Sequence, residues 1–389
     1  MSDSVQFRVI AAIIGITVTP SFVHGNEGLW LDSRLHPLPT EKLGPFVRIN
    51  NDDVLAIDES ASYISSDHGQ TWSPGRPLFP DEQNIRGSNE RALFCTQSGV
   101  VIVAFMNLAA RHWTWSDQLG DALEARLPTY VMRSVDGGKT WQDIQEMHND
   151  CSGAVRDMIQ KQDGRIIFTA MKLSHNPGRH SVLTYSSTDD CKSWTASNLI
   201  DLGGAGHHGG VTEPTLAELP DGRIWMLIRT NWGEFWSAYS HDGGQFWRVI
   251  HPSGVAASSA PGILRRLTSV GTDDGAGGKR AGRLVLIGNR PYPDGKTAWP
   301  LSGGDNRWSA TPVSNHREEL SMAFSEDDGK TWGEPVVIAR RRDTNAVGSA
   351  RWVAYPYLFE TSPSELWITT MQGGLRARLK VPDFVQTRK

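Results

Sequence analysis

Ser134-Val135-Asp136-Gly137-Gly138-Lys139-Thr140-Trp141 is one of five copies of an eight-residue pattern, Ser-x-Asp-x-Gly-x-x-Trp. The others begin at Ser65, Ser187, Ser240 and Ser325, so successive copies lie 69, 53, 53 and 85 residues apart. Only the third departs, with Cys191 in the glycine position. The pattern has the chemistry of a tight turn. An aspartate side chain accepts backbone N–H groups, glycine supplies a positive φ, and tryptophan is a large apolar plug between neighbouring sheets. The boxes therefore read as fold devices rather than catalysts.

A second regularity precedes them. Turn residues followed by an apolar strand recur at residues 51–57, 97–103, 162–168, 218–228, 281–287 and 364–368. Six such hairpins predict six antiparallel sheets. Units of about 60 residues arranged this way make an all-β, six-bladed β-propeller of four-stranded sheets. The regular phase of box and strand argues against a pair of β-sandwiches, and the unit length against a parallel β-helix. The last hairpin has no box after it, so the stretch around Leu29-Trp30-Leu31 is expected to complete that sheet and close the ring. Longer insertions fall near residues 108–128 and 268–316. Within them residues 117–126 are expected to form a short helix and the glycine-rich residues 271–282 an exposed loop.

The chain has 389 residues, of which 39% are hydrophobic, which is too apolar for disorder. Net charge is −4 with both signs well mixed, which leaves no basic footprint for nucleic acid. Residues 1–25 read as a secretory signal: Arg8, a ten-residue apolar run from Val9 to Val18, then small residues around Gly25. That run is too short to span a bilayer. The expectation is a secreted or periplasmic protein with one propeller domain over residues 26–389 and no membrane span. Cys95, Cys151 and Cys191 contain no Cys-x-x-Cys, so no metal and no cofactor is expected, and Cys151–Cys191 is the expected pair if a disulfide forms.

In a propeller the innermost strands line a central channel. Aligning the six hairpins gives one column, Gly44, Glu90, Val155, Glu213, Ala260 and Tyr355, in which four members precede a proline. Glu90, Glu213 and Tyr355 would meet at one mouth. A second column, at the ends of the second strands, is polar: Glu59 or Ser60, Asn107, Lys172, Arg229, Asn289 or Arg290, and Gln372. Polar groups gathered at one mouth predict a ligand pocket.

These residues and boxes resemble the sialidase (neuraminidase) superfamily of Asp-box propellers. The segment from Glu213 to Arg229 is similar to the family stretch in which a glutamate is followed, one hairpin later, by a carboxylate-binding arginine. The resemblance implies that Tyr355 is the nucleophile, Glu213 its base, and Arg229 and Arg317 a clamp for the substrate carboxylate. A neutral phenol suits a sugar that carries its own carboxylate at the reacting carbon. The pattern breaks at the first sheet. Arg48 is the nearest candidate for the third arginine, yet it lies only four residues before the Asp52-Asp53 turn. The family's aspartate-bearing loop is absent. Candidates for the missing acid/base are Asp58, Glu90, Asp157 and the pair His207-His208, with Arg156 beside Asp157. The implied function is an exo-glycosidase acting on a terminal acidic sugar of a glycan. The alternatives are a non-catalytic glycan- or protein-binding propeller and a polysaccharide lyase.

Overall fold

Each box joins the third and fourth strands, counted from the axis, of one antiparallel sheet in the computed structural model, which describes residues 26–49, 52–80, 83–268, 283–342 and 348–385. The box around Asp136 shows how. Ser134 Oγ donates to Asp136 at 2.8 Å and accepts from Gly138 N at 2.8 Å. The Asp136 carboxylate takes the N–H groups of Lys139 and Thr140 and the Thr140 hydroxyl. Gly138 has φ 83°, and a Cβ there would lie 2.7 Å from Leu55 of the preceding sheet. Glycine is thus required both by conformation and by close approach. Trp141 Nε1 donates to Ser62, again on the preceding sheet, so a box ties one blade to the last.

Among the described residues the innermost strands of the six sheets are Phe46–Arg48, Gly87–Cys95, Met158–Gln160, Val211–Glu218, Ile263–Arg266 and Ala354–Ser362. We number the sheets 1 to 6 in that order. Six apolar clusters fill the six gaps between neighbours, including one of Phe46, Val54 and Ala56 of sheet 1 against Phe359 and Trp367 of sheet 6. The last cluster closes the ring.

Closure differs from the expectation in one respect. Leu29–Leu31 pairs with Val336–Arg341 as a fifth strand on sheet 5, whereas His36–Pro37 pairs with Arg376–Lys380 and completes sheet 6. Residues 117–126 form turns and bridges rather than a helix; the helical turn nearby is the short 3-10 segment Leu108–Ala110. The proposed signal (residues 1–25) and the glycine-rich stretch 271–282 lie outside the described residues. No helix among those described is long and apolar enough to cross a membrane.

The cysteine pairing is also corrected, because all three thiols are free. Cys151 accepts from Leu173 N at one end of strand Ile166–Ser174, while Cys191 packs on Ser187, opposite Ile166 at the other end. Seven residues of extended chain put the two roughly 20 Å apart.

Candidate active site

All three polar members of the inner column sit on irregular backbone. Glu213 has φ 45° and Tyr355 φ 61°, a region that side chains other than glycine adopt at a cost. The ladder of sheet 4 slips by one residue between Thr212 and Thr215, and that of sheet 2 slips between Gly87 and Arg91, around Glu90. Bulges re-aim side chains beside sites. Here they turn Glu213 and Glu90 to one volume near the axis, where Tyr355 joins them.

The structure brings Tyr355, Glu213, Arg229 and Arg317 together. Tyr355 Oη donates to Glu213 Oε1 at 3.0 Å. Arg229 Nη1 donates to Glu213 Oε2 and, at 3.4 Å, to Tyr355 Oη. Arg229 Nη2 reaches Ser259 Oγ at 2.8 Å, and Arg317 Nη2 reaches the Ser259 carbonyl at 2.5 Å. Arg317 also contacts Gln372 at 3.3 Å and lies 5.4 Å from the Tyr355 ring centroid. Arg156 packs over the rings of Tyr355 and Tyr357, at 5.3 and 5.5 Å, and donates to the Pro356 carbonyl. Its Nε and Nη1, like Arg229 Nε, are buried without a hydrogen-bond partner. Above this floor lies a cavity of about 590 Å³, lined among others by Glu90, Tyr355, His180, His207, His208 and Gln372.

Electrostatics divides the acids. Burial opposes charge on Glu213, but Arg229, Arg156 and Arg317 outweigh it and hold that carboxyl below its usual range. Glu90 goes the other way. Burial first and then the neighbouring Glu213 charge outweigh Arg156 and Arg229 and push Glu90 up to about 8. Burial and Glu213 push Tyr355 up to about 12, so the resting phenol is neutral. His208 is driven down to about 3 and His180 to about 4, in both cases by burial first, and both are neutral at pH 7.

The Glu90 shift carries a stability signature. A carboxyl whose folded pKa is raised binds its proton more tightly in the folded state. Its contribution is complete below the ordinary value of 4.5 and is lost as pH rises to about 8. Thermal midpoints should therefore fall between those limits, and Glu90→Gln should flatten the slope. Equal slopes in wild type and variant would contradict the assignment.

Three sequence candidates are engaged in other contacts. Arg48 pairs across its ladder with Val54, at the bottom turn, bonds Asp52 at 3.0 Å and lines a separate cavity with His68 and Arg378. Its closeness to the Asp52 turn places it at the wrong end of the strand. Asp157 is on the channel but is fully used: it pairs with Arg265 at 2.6 Å and accepts from Thr215 Oγ1 and the Leu216 and Met158 amides. It joins sheets 3, 4 and 5. Asp58 accepts from Tyr63 and from the Ser60 and Ala61 amides. His207 and His208 do line the cavity, their Nδ1 atoms 2.6 Å apart. Sequence reasoning missed Ser259, which links two arginines and stands one residue before the column member Ala260. It also missed Trp113, Trp115 and Trp308. Their signal was tryptophan placed in insertions, away from the boxes. Among the described residues no group of three or more His, Cys, Asp or Glu side chains is placed to hold a metal ion.

The sequence matches the family described as BNR repeat-like domain over residues 117–368, and a BNR/Asp-box repeat over residues 63–74. Compared with curated proteins, the chain matches none. Solved structures share its fold. Hadza microbial sialidase Hz136 is 16% identical with TM-score 0.59, over 88% of this chain and 66% of that one. The NanB sialidase from Streptococcus pneumoniae is 12% identical with TM-score 0.57, over 91% and 71%. The α-L-arabinofuranosidase arb93a from Fusarium graminearum is 13% identical with TM-score 0.57, over 90% and 99%. At such identities the likeness speaks for the fold.

Proposed function

The chain belongs to the BNR repeat-like domain family, and from that premise we propose that it is an exported glycoside hydrolase releasing a terminal acidic, sialic-acid-like sugar from a glycan. The charge beneath the cavity carries this reading: the guanidiniums of Arg156, Arg229 and Arg317 surround one ionised carboxylate, Glu213, and a neutral phenol. Three positive charges against one favour an anionic ring substituent. A carboxylate nucleophile would be repelled by it, and a phenol is not. Export rests on the apolar run at residues 9–18.

In this mechanism Tyr355 Oη attacks the anomeric carbon and passes its proton to Glu213 Oε1, already 3.0 Å away. The bond to the leaving oxygen breaks, and that oxygen takes a proton from Glu90. Water then attacks the anomeric carbon and gives its proton to the Glu90 carboxylate. The carbon–Tyr355 bond breaks, and Glu213 returns the phenol proton. Glu90 is chosen as the acid because it faces the cavity and is held above the usual carboxyl range, whereas Asp58 and Asp157 are consumed by structural bonds.

A second reading, a neutral-sugar hydrolase, has one observation in its favour: the Nη groups of Arg229 and Arg317 already bond protein acceptors. Aryl glycosides of sialic acid, a uronic acid and α-L-arabinofuranose separate the readings. We expect release from an acidic sugar. Turnover of the arabinofuranoside alone would support the second reading, and an unsaturated, ultraviolet-absorbing product from a uronide would indicate a lyase.

A further inference from the structure

Trp113 and Trp115 stand on the insertion of sheet 2 and Trp308 on that of sheet 5, and none of them takes part in the chemistry above. With His207, Asp305 and Arg307 they line a second cleft of about 360 Å³. It shares Trp113 and His207 with the site cavity, so the two spaces adjoin.

Its walls are held by backbone bonds between four loops. Gly178 N donates to Gly120 O and Gly206 N to Gly178 O, both at 2.9 Å; His207 N donates to Arg307 O at 2.9 Å and His208 N to Trp308 O at 2.8 Å. Gly206 has φ 101°, and a Cβ there would lie 2.8 Å from the Trp308 carbonyl. The loops could not meet this way around a larger residue. Trp113 stacks on Trp115 at 6.3 Å and 18°, Trp308 stacks on His208 at 5.2 Å and 16°, and Arg307 of the sheet 5 insertion bonds Asp117 of the sheet 2 insertion at 3.0 Å. The cleft is thus built before any ligand arrives, which lowers the ordering cost of binding.

We propose that this cleft is the leaving-group subsite, holding the neutral hexopyranose to which the released sugar is attached. The proposal rests on the hydrolase reading above. A pyranose presents an apolar C–H face and a rim of hydroxyls. Indole faces suit the first, and Asp305, Arg307 and the His207 ring suit the second. Charge separates the two spaces. The floor of the site cavity is net positive, whereas the cleft is lined by one acid, Asp305, and one base, Arg307, the latter also paired with Asp117, and His207 is held below its usual pKa, by burial first and Arg307 second. An acidic ring is drawn to one and a neutral ring fits the other.

The test compares an aryl sialoside, which has no second sugar, with sialyllactose, in wild type and Trp308→Ala. The variant should lower kcat/KM about tenfold more on sialyllactose than on the aryl substrate. Equal losses on both would overturn the proposal. Saturation-transfer NMR with free lactose gives a readout independent of turnover. We expect transfer from wild type and from Tyr355→Phe, and loss in Trp308→Ala at an unchanged thermal midpoint. No transfer from wild type would also overturn it. If Tyr355→Phe stays fully active while lactose still binds, the chemistry falls and the subsite stands.

Discussion

Tyr355→Phe should abolish hydrolysis while leaving the thermal midpoint near wild type and substrate still bound. The change removes one oxygen. The ring keeps its packing under Arg156 and Arg317, and Glu213 keeps its bond from Arg229. What goes is the atom that attacks the anomeric carbon. Glu213→Gln should lower kcat by about 10²–10⁴-fold, the usual worth of a positioned base, because the phenol, pushed up to about 12, does not ionise unaided at neutral pH. The two losses should not multiply in the double variant, since both residues serve one step. Steady-state kinetics with a fluorogenic sialoside checks this, and full activity of Tyr355→Phe would end the account of the nucleophile.

Arg229→Met should be the most destabilising change at the site. Arg229 and Glu213 are 3% and 7% exposed, and their pairing offsets the burial of both charges. Removing one partner of such a pair costs about 3–5 kcal/mol, or roughly 4–6 °C in a chain of this size. The deficit should depend on pH. Glu213 is held below its usual pKa in the wild type, so its contribution is present above 4.5 and is lost as pH falls through the depressed value. Without Arg229 the buried carboxyl takes up a proton more readily, so the gap from wild type should narrow below pH 4.5. Scanning calorimetry from pH 4 to 8 measures both effects. A variant as stable as wild type at pH 7 would show that the pair is not coupled.

The parts of the molecule that repeat were legible in the sequence, and those that do not repeat were not. A box residue such as Asp136 has one geometric job in every blade, so its spacing reports the ring. Alignment on the turns then carried Glu90, Glu213 and Tyr355 to the same channel mouth. Arg48 did not come from that alignment, which put Gly44 in the column; the resemblance alone offered it, and its short distance to the Asp52 turn was already legible. Closure was assigned to Leu29–Leu31 because those residues look like a strand. The segment that completes sheet 6, His36–Pro37, is two residues long and contains a proline, which gives no strand signal. Asp157 looked free because its partners, Arg265 and Thr215, come from sheets that sequence distance does not connect. The aromatic cleft was hidden for a similar reason. It depends on amide–carbonyl bonds such as Gly206 to Gly178, which any residue type can make and only the assembled ring brings into reach.

The proposed reaction turns on which atom bonds the sugar. An electron-poor, fluorinated sialyl donor that slows breakdown of the intermediate should leave one sugar on the enzyme, and peptide mass mapping locates it. The prediction is an adduct on Tyr355, in the tryptic peptide spanning residues 352–376, absent from Tyr355→Phe. A sugar carried instead on Glu90 or Glu213, or turnover of the donor by Tyr355→Phe at the wild-type rate, would contradict it.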